Sequence, residues 1–493
     1  MIDFSDLQKY KENNRIEAKK ALGGLPHSIW ETYSAFANTL GGVILLGVIE
    51  TEDKSLEAVD LPEPDKLIRE FWNIINNPNK VSVNILSNKD VYTREVDGKR
   101  IIVINVPRAQ RFDRPVYLDG NTFNTYRRNG EGDYKCTKEE VNAMKRDASI
   151  KTQDMLVLEE MDLGVFDYDS VRRYRIRMKT YRPGHVWEEL DDIEFLYKIG
   201  AVGRDAEGKL HPTAAGLLMF GYEYEIVKEY PYYFLDYQEQ MDPNTRWTDR
   251  MVSSSGEWSG NIYDFYFRVY NKIAQDIKVP FKLEGGNRID DTPVHKALRE
   301  ALANCLINAD YYGRQGLVIV KRKDSITLSN PGGFRIDVEA AVSGGVSDPR
   351  NSALIKMFNL VDIGERAGSG IPNIYNVWNK QGWPAPIIEE SFEPERIKVS
   401  LVFEKTDDKK PTIKTDDKKP TIKNDDKKKS AKFRVQTQAI IEYLTMNVHA
   451  KNADIANLLG IKSTRVKEIL KVLIEEEIIV TEGNNRNRTY RLK

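Results

Sequence analysis

Apolar positions along this chain follow two rhythms. In some stretches they recur every third or fourth residue, as in an amphipathic helix, and in others they run almost unbroken, as in a buried strand. Near the N-terminus a helical stretch closes on Ala35-Phe-Ala-Asn-Thr-Leu-Gly-Gly42 and passes into Val43-Ile-Leu-Leu-Gly-Val48. Ile101-Ile-Val-Ile-Asn-Val106 predicts another buried strand. Residues 187–199 have helical spacing, and residues 213–221 fit a tightly packed helix or strand edge. Asp291-Thr-Pro293, a capping residue followed by proline, starts a helix that packs through Ala301, Leu302, Leu306 and Ile307. Strands at 316–320 and 325–329 follow. Beyond residue 432 the pattern becomes a helix over 433–446, a short helix over 453–459 capped by Asn452, and a break at Gly460. A further helix, capped by Ser463 or Thr464, turns Val466, Ile469, Leu470 and Leu473 inward. Residues 478–480 and 489–492 flank Gly483-Asn-Asn485 as strand, turn and strand.

This order predicts a multidomain α/β (α+β) chain, divided at 1–148, 149–290, 291–404 and 432–493, with a linker over 405–431. The linker carries a nine-residue repeat, Thr406-Asp-Asp-Lys-Lys-Pro-Thr-Ile-Lys414, copied at 415–423. It is almost free of apolar residues, holds eleven lysines against six aspartates between Lys405 and Lys432, and predicts a solvated spacer. Net charge is −1, so any nucleic-acid surface must be local. Cys136 and Cys305 lie too far apart in sequence to suggest a zinc cluster, and the five histidines are scattered. The first residues lack a signal peptide's basic and apolar regions. The most apolar stretch, residues 41–49, is far short of the ~20 residues that span a bilayer. A soluble, cytoplasmic protein without a membrane partner is expected.

The C-terminal order of helix, short helix, helix and hairpin is that of a winged helix-turn-helix. The outward side of its last helix offers Ser463, Thr464, Arg465, Lys467 and Lys471, and the wing offers Arg486 and Arg488. These suit base edges and phosphates respectively. A winged helix used only for protein contacts is the alternative.

In the helix after Pro293, Glu300, Asn304 and Asn308 recur at intervals of four and form one polar stripe. A carboxylate and an amide so placed can serve as a base and as a hard magnesium ligand, although an ordinary solvated helix face has the same spacing. Farther on, Gly364-Glu-Arg-Ala-Gly-Ser-Gly-Ile371 is a glycine-rich turn running into a helix, an arrangement that cradles phosphates. Together with Ala297-Leu-Arg-Glu-Ala-Leu-Ala-Asn304, Ser329-Asn-Pro-Gly-Gly333 and Asp348-Pro-Arg-Asn351, these motifs resemble the ATP-binding C-terminal domain of RecG-like regulators, a branch of the GHKL ATPases. The resemblance covers 292–404 and implies a GHKL-like α/β sandwich that binds ATP and Mg2+. It implies Glu300 as base, Asn304 as magnesium ligand, Asn308 nearby, Asn330 and Gly332 beside the adenine, and Gly364, Gly368 and Gly370 at the phosphates. Two positions depart from the family: Asn330 stands where an aspartate is usual, and Asn308-Ala-Asp-Tyr311 replaces His-Arg-Asp-Tyr. Binding is therefore expected over fast hydrolysis. No Gly-x-x-x-x-Gly-Lys-Ser/Thr loop occurs, which argues against a helicase motor.

Asn13-Asn-Arg-Ile-Glu-Ala-Lys-Lys20, the Ala35–Gly42 motif, the strand after it and Thr125-Tyr-Arg-Arg-Asn-Gly130 resemble the Schlafen-type AlbA-like domain over about 10–142. The resemblance implies nucleic-acid binding and, in some members, RNA cleavage by a carboxylate-held metal. Candidate metal ligands are Glu12 and Glu17, with a third carboxylate from the acidic cluster Glu50, Glu52 and Asp53, binding Mg2+ or Mn2+. Arg108, Arg111 and Arg114, with Arg127 and Arg128, predict a basic nucleic-acid face, against the plainer alternative of solvated charge. The leading expectation is an ATP-binding, nucleic-acid-binding protein, a homo-oligomeric DNA-binding transcriptional regulator with at most slow ATPase activity. The rivals are a metal-dependent, tRNA-cleaving effector in anti-phage defence and a scaffold with a vestigial nucleotide site.

Overall fold

The structure is a computed structural model that describes residues 4, 7, 10–242, 244–274, 282–284, 287–289, 292–364, 368–403, 440, 444, 449–459, 463–475, 479–482 and 489–492. The chain forms two compact units, Met1–Asp407 and Asp408–Lys493.

The first unit opens with a four-stranded sheet in the order Ile16–Lys19, Gly42–Leu46, Lys99–Val106, Val91–Val96. The first pair is parallel and the others are antiparallel. The apolar run at 101–106, interrupted only at Asn105, follows from burial on both faces, since strand side chains alternate. Ile102, Ile104 and Val106 join Ile44, Leu46 and the helices Ile29–Asn38 and Pro64–Ile75 in one core, while Ile101 and Val103 join Leu45, Val48 and Leu56 in another. A three-stranded sheet follows, Tyr117–Leu118, Asn121–Asn129 and Gly132–Lys135. It leads to the helix Lys138–Ala148, started by a reciprocal cap between Thr137 and Glu140.

Described buried residues between 158 and 401 form a single core. The seven residues of the Ala214–Phe220 helix are all buried, resolving the ambiguity at 213–221 in favour of a helix. Gly216 is required there, because a Cβ would stand 2.0 Å from the Ala201 carbonyl oxygen. The helix expected over 187–199 is shorter, Asp192–Ile199, with Asp191 accepting a hydrogen bond from the Glu194 N–H at its start. The main sheet has six strands in the order Asp249–Val252, Leu235–Gln240, Leu317–Arg322, Ser325–Pro331, Glu395–Val402, Ile387–Phe392. Leu235–Gln240 lies parallel to Leu317–Arg322 and the remaining pairs are antiparallel. The helices Ile262–Ala274, Pro293–Ile307 and Gly370–Gln381 contribute to the same core.

The second unit contains the helices Asn452–Leu459 and Ser463–Glu475 and an antiparallel pair, Ile479–Glu482 with Thr489–Leu492. Val466, Ile469, Leu470 and Leu473 meet Ile440, Leu444, Ile455, Ile479 and Tyr490 in its core. The repeat linker and the turn at 483–488 lie outside the described residues, as does most of the helix expected at 433–446. No described helix is long and apolar enough to cross a membrane.

Candidate functional site

The Pro293–Ile307 helix begins as its sequence predicts: the Thr292 hydroxyl accepts a hydrogen bond from the His295 N–H and proline occupies the first turn. Its polar stripe turns into a cleft lined by Glu300, Asn304, Asn308, Asn330, Gly368 and Gly370, with an apolar wall that includes Ile388, Ile397 and Val399. Asn304 Nδ2 donates to Glu300 Oε1 at 3.1 Å, and Asn308, the helix cap, donates to the Asn304 carbonyl at 3.0 Å. Gly370 opens the Gly370–Gln381 helix directly against this pair. A Cβ on it would lie 2.1 Å from Glu300 Oε1 and 3.0 Å from Asn304 Nδ2. One on Gly368 would lie 2.5 Å from the Val346 carbonyl oxygen. These glycines leave a cradle that side chains would fill, beside a helix N-terminus whose N–H groups favour an anion.

The cleft fits a nucleotide with a divalent cation. Magnesium usually takes one or two protein oxygens together with phosphates and water, and the Asn304 amide and the Glu300 carboxylate are residue types that offer them. Two glycines fall elsewhere than expected. Gly332 does not line the cleft; it sits under Arg350, and a Cβ there would be 2.1 Å from Nη1. Gly364 also lies outside the lining, near Asn359, Ala303 and Ile307, and residues 365–367 are not among those described.

The arginines expected on an open basic face are instead built into the protein. Arg108 makes a bidentate pair with Glu390 at 2.6 and 2.9 Å and donates to the Phe334 carbonyl. Arg111 pairs with Asp348 and donates to the carbonyls of Asp147 and Ser149. Arg127 is shared by Glu140 and Glu393, and Arg128 pairs with Glu17 and Asp133. Arg114 is buried near Glu390, Glu395 and Asp147, and burial lowers its pKa to about 10. The opposing carboxylates lie up to 282 residues away in sequence, so local charge spacing does not reveal them.

Sequence reasoning missed the centre of this seam. Arg350 forks onto Asp147 at 2.9 and 2.7 Å and donates to the carbonyls of Asn308 and Gly333 at 2.7 and 3.0 Å. Arg146 pairs with Asp310 at 2.9 Å. Burial raises the Asp147 carboxyl, but Arg350 beside it outweighs that, with Arg335 and Arg114 adding to the net depression. Burial pushes the Glu395 carboxyl up and the Arg335 guanidinium down to about 10. Asn308, Gly333, Phe334, Arg335, Asp348 and Arg350 belong both to this seam and to the cleft wall.

Glu12 and Glu17 come together, and of the acidic cluster it is Glu50, not Asp53, that stands close enough to act on Glu12. Burial raises the Glu12 carboxyl, and the charges of Glu17 and Glu50 add to the effect. Asp53 stands in an exposed turn, drawn down to about 2 by hydrogen bonds from the Thr51 and Ser55 hydroxyls. Glu17 is engaged by Lys19 and Arg128, each at 2.8 Å, and Glu12 accepts the Ala18 N–H. Among the described residues, no group of three or more His, Cys, Asp or Glu side chains is arranged to hold a metal ion. In the second unit, Lys467 and Lys471 are exposed on the helix that begins at Ser463, Thr464 and Arg465. Arg486 and Arg488 lie outside the described residues.

Three families match parts of this chain. Residues 12–137 match the family described as "Schlafen, AlbA_2", residues 142–236 match "Domain of unknown function (DUF8451)", and residues 318–401 match "Putative ATP-dependent DNA helicase recG C-terminal". The last match begins after the helix that carries Glu300, Asn304 and Asn308. No curated protein matches the chain. Among solved structures, the DIP2311 protein from Corynebacterium diphtheriae is 18% identical, with 97% of this chain and 95% of that chain covered and a TM-score of 0.43. The N-terminal domain of a RecG-related protein from Nitrosomonas europaea, titled a "Putative ATP-dependent DNA Helicase", is 31% identical. The alignment covers 28% of this chain and 95% of that chain, with a TM-score of 0.22. The chain is thus similar to the Schlafen AlbA_2 family over residues 12–137 and to the RecG C-terminal family over residues 318–401.

Proposed function

We propose that this protein binds ATP and nucleic acid and works as a DNA-binding transcriptional regulator with at most slow ATP hydrolysis. The observation that carries the proposal is the juxtaposition of Glu300, Asn304 and the Gly370 helix start in one cleft. Bound Mg-ATP would supply a phosphoanhydride there. The Asn304 amide oxygen would hold the cation, the Gly370 end of the helix would face the phosphates, and a Glu300 carboxylate oxygen would take a proton from water. The helices and hairpin of the second unit support a winged helix-turn-helix, with Lys467 and Lys471 turned to DNA. Homo-oligomerisation belongs to the same proposal.

Thermal unfolding of the full chain with and without Mg-ATP tests it. A ligand at a hundred times its Kd adds about 2.7 kcal/mol of stability, so a clear rise in Tm is expected. The rise should be lost in Asn304→Ala and Gly370→Ala, and Glu300→Gln should bind yet lose residual hydrolysis. An unchanged wild-type Tm at millimolar Mg-ATP overturns the nucleotide proposal.

A tRNA-cleaving, defence-related activity has one observation in its favour, the approach of Glu50 to Glu12 and Glu17. It requires Glu17 to leave Arg128 and Lys19 before it can hold a cation. Manganese-dependent cleavage of labelled tRNA that disappears in Glu17→Ala would select that activity over the regulator.

A further inference from the structure

We propose that Phe123, Lys138 and Lys145 form a contact surface for single-stranded nucleic acid on the N-terminal domain. This rests on the nucleic-acid reading above and gives it a place that the seam arginines no longer supply. Phe123 projects from the Asn121–Asn129 strand with 39% of its surface exposed. The ammonium groups of Lys138 and Lys145 stand 6.0 and 5.4 Å from its ring centroid. Both lysines come from the Lys138–Ala148 helix, two turns apart on one side, and both are exposed. Lys145 Nζ also donates to the Thr122 hydroxyl at 3.2 Å, which draws it over the strand. A third exposed lysine, Lys135, donates to Asn124, the residue next to Phe123.

Two features separate this surface from ordinary solvated charge. The nearest acidic residues on the helix are already committed: Glu139 pairs with Arg314, and Glu140 pairs with Arg127 and caps Thr137. Among the described residues, neither Lys138 nor Lys145 has a carboxylate partner within ion-pair distance. Lys138 is moreover the first residue of its helix, where the backbone dipole disfavours a cation. Its charge therefore does not serve the helix. An exposed aromatic ring flanked by unpaired cations is the combination that binds single strands, because any base can stack on the ring while the cations meet successive phosphates. The base stack of a duplex is closed to such a ring, so single strands are the chosen occupant.

The test uses the full chain and fluorescein-labelled oligo-dT, with a labelled duplex as comparison, followed by anisotropy over a range of salt. Phe123→Ala should weaken oligo-dT binding roughly tenfold or more, and Phe123→Trp should restore it. Lys138→Gln with Lys145→Gln should flatten the plot of log K against log salt by about 1.4, the value for two phosphate contacts on a single strand. Melting temperatures close to wild type would show that these surface changes leave the fold intact. Lys467→Glu with Lys471→Glu should spare oligo-dT binding and weaken duplex binding. If the wild type binds oligo-dT and the Phe123 and lysine variants bind it equally well, the surface is wrong and the general nucleic-acid reading stands. If the wild type binds neither strand form at any salt, both fail together.

Discussion

Gly332 shows how one missing side chain shapes the wall between cleft and seam. Its φ of +91° is a conformation that L side chains rarely adopt, and the guanidinium of Arg350 occupies the space a Cβ would need. Arg350 cannot swing away, since it is tied to Asp147 and to two carbonyls. Gly332→Ala should therefore cost about 1–3 kcal/mol and lower the Tm of the first unit by several degrees in a thermal melt. An unchanged melt would mean that Arg350 is not held as described. At this scale the sequence was partly legible. Glu300, Asn304 and Gly370 share one cleft, and the helix periodicity and glycine turn that bring them there are local signals in the sequence. The surroundings of Gly332 depend on Arg350, 18 positions later, which no local signal reveals.

Among elements, the Lys138–Ala148 helix is tied to the 318–401 region through the fork of Arg350 on Asp147. A buried ion pair contributes little net stability, yet removing one partner strands the other charge and costs about 3–5 kcal/mol. Asp147→Ala should accordingly destabilise the protein by about 3 kcal/mol. The pair Asp147→Leu with Arg350→Met should lose less than Asp147→Ala alone, a comparison that denaturant unfolding can measure. Equal losses would show that the pair is not coupled. The sequence could not announce this contact. Arg108, Arg111 and Arg114 recur at regular spacing as a solvated or phosphate-binding series would. Whether Glu390, Asp348 or a phosphate faces them is decided by topology rather than by neighbours in sequence. Burial on both faces explains why this strand, in contrast, is visible: Ile101 to Val106 needs no remote partner to declare itself.

Across the first unit, the same charges set a response to acid. Asp147 ionises below its ordinary value near 3.8, so its stabilising contribution is full above that value and is lost as pH falls through the depressed one. Glu395, raised by burial, acts with the opposite sign: its ionisation costs stability as pH rises from the ordinary carboxyl range to its higher folded value. Asp147 has direct bonds to Arg350 and should dominate at the acid end. Melting temperature should fall steeply below about pH 4 in the wild type and less steeply in Asp147→Asn. Parallel curves for the two proteins would remove Asp147 from this role.

The main sheet draws Leu235–Gln240 and Asp249–Val252 from one side of the 318–401 match and the remaining strands from within or beside it. Leu317–Arg322 is thus an interior strand whose parallel partner lies outside the recognisable family segment. A recombination event that carried away only that segment would leave an open, hydrogen-bond-hungry edge in its new host. An exchanged piece that kept this edge covered would have to reach back at least to Leu235, at the end of the DUF8451 match, and carry the helices between with it.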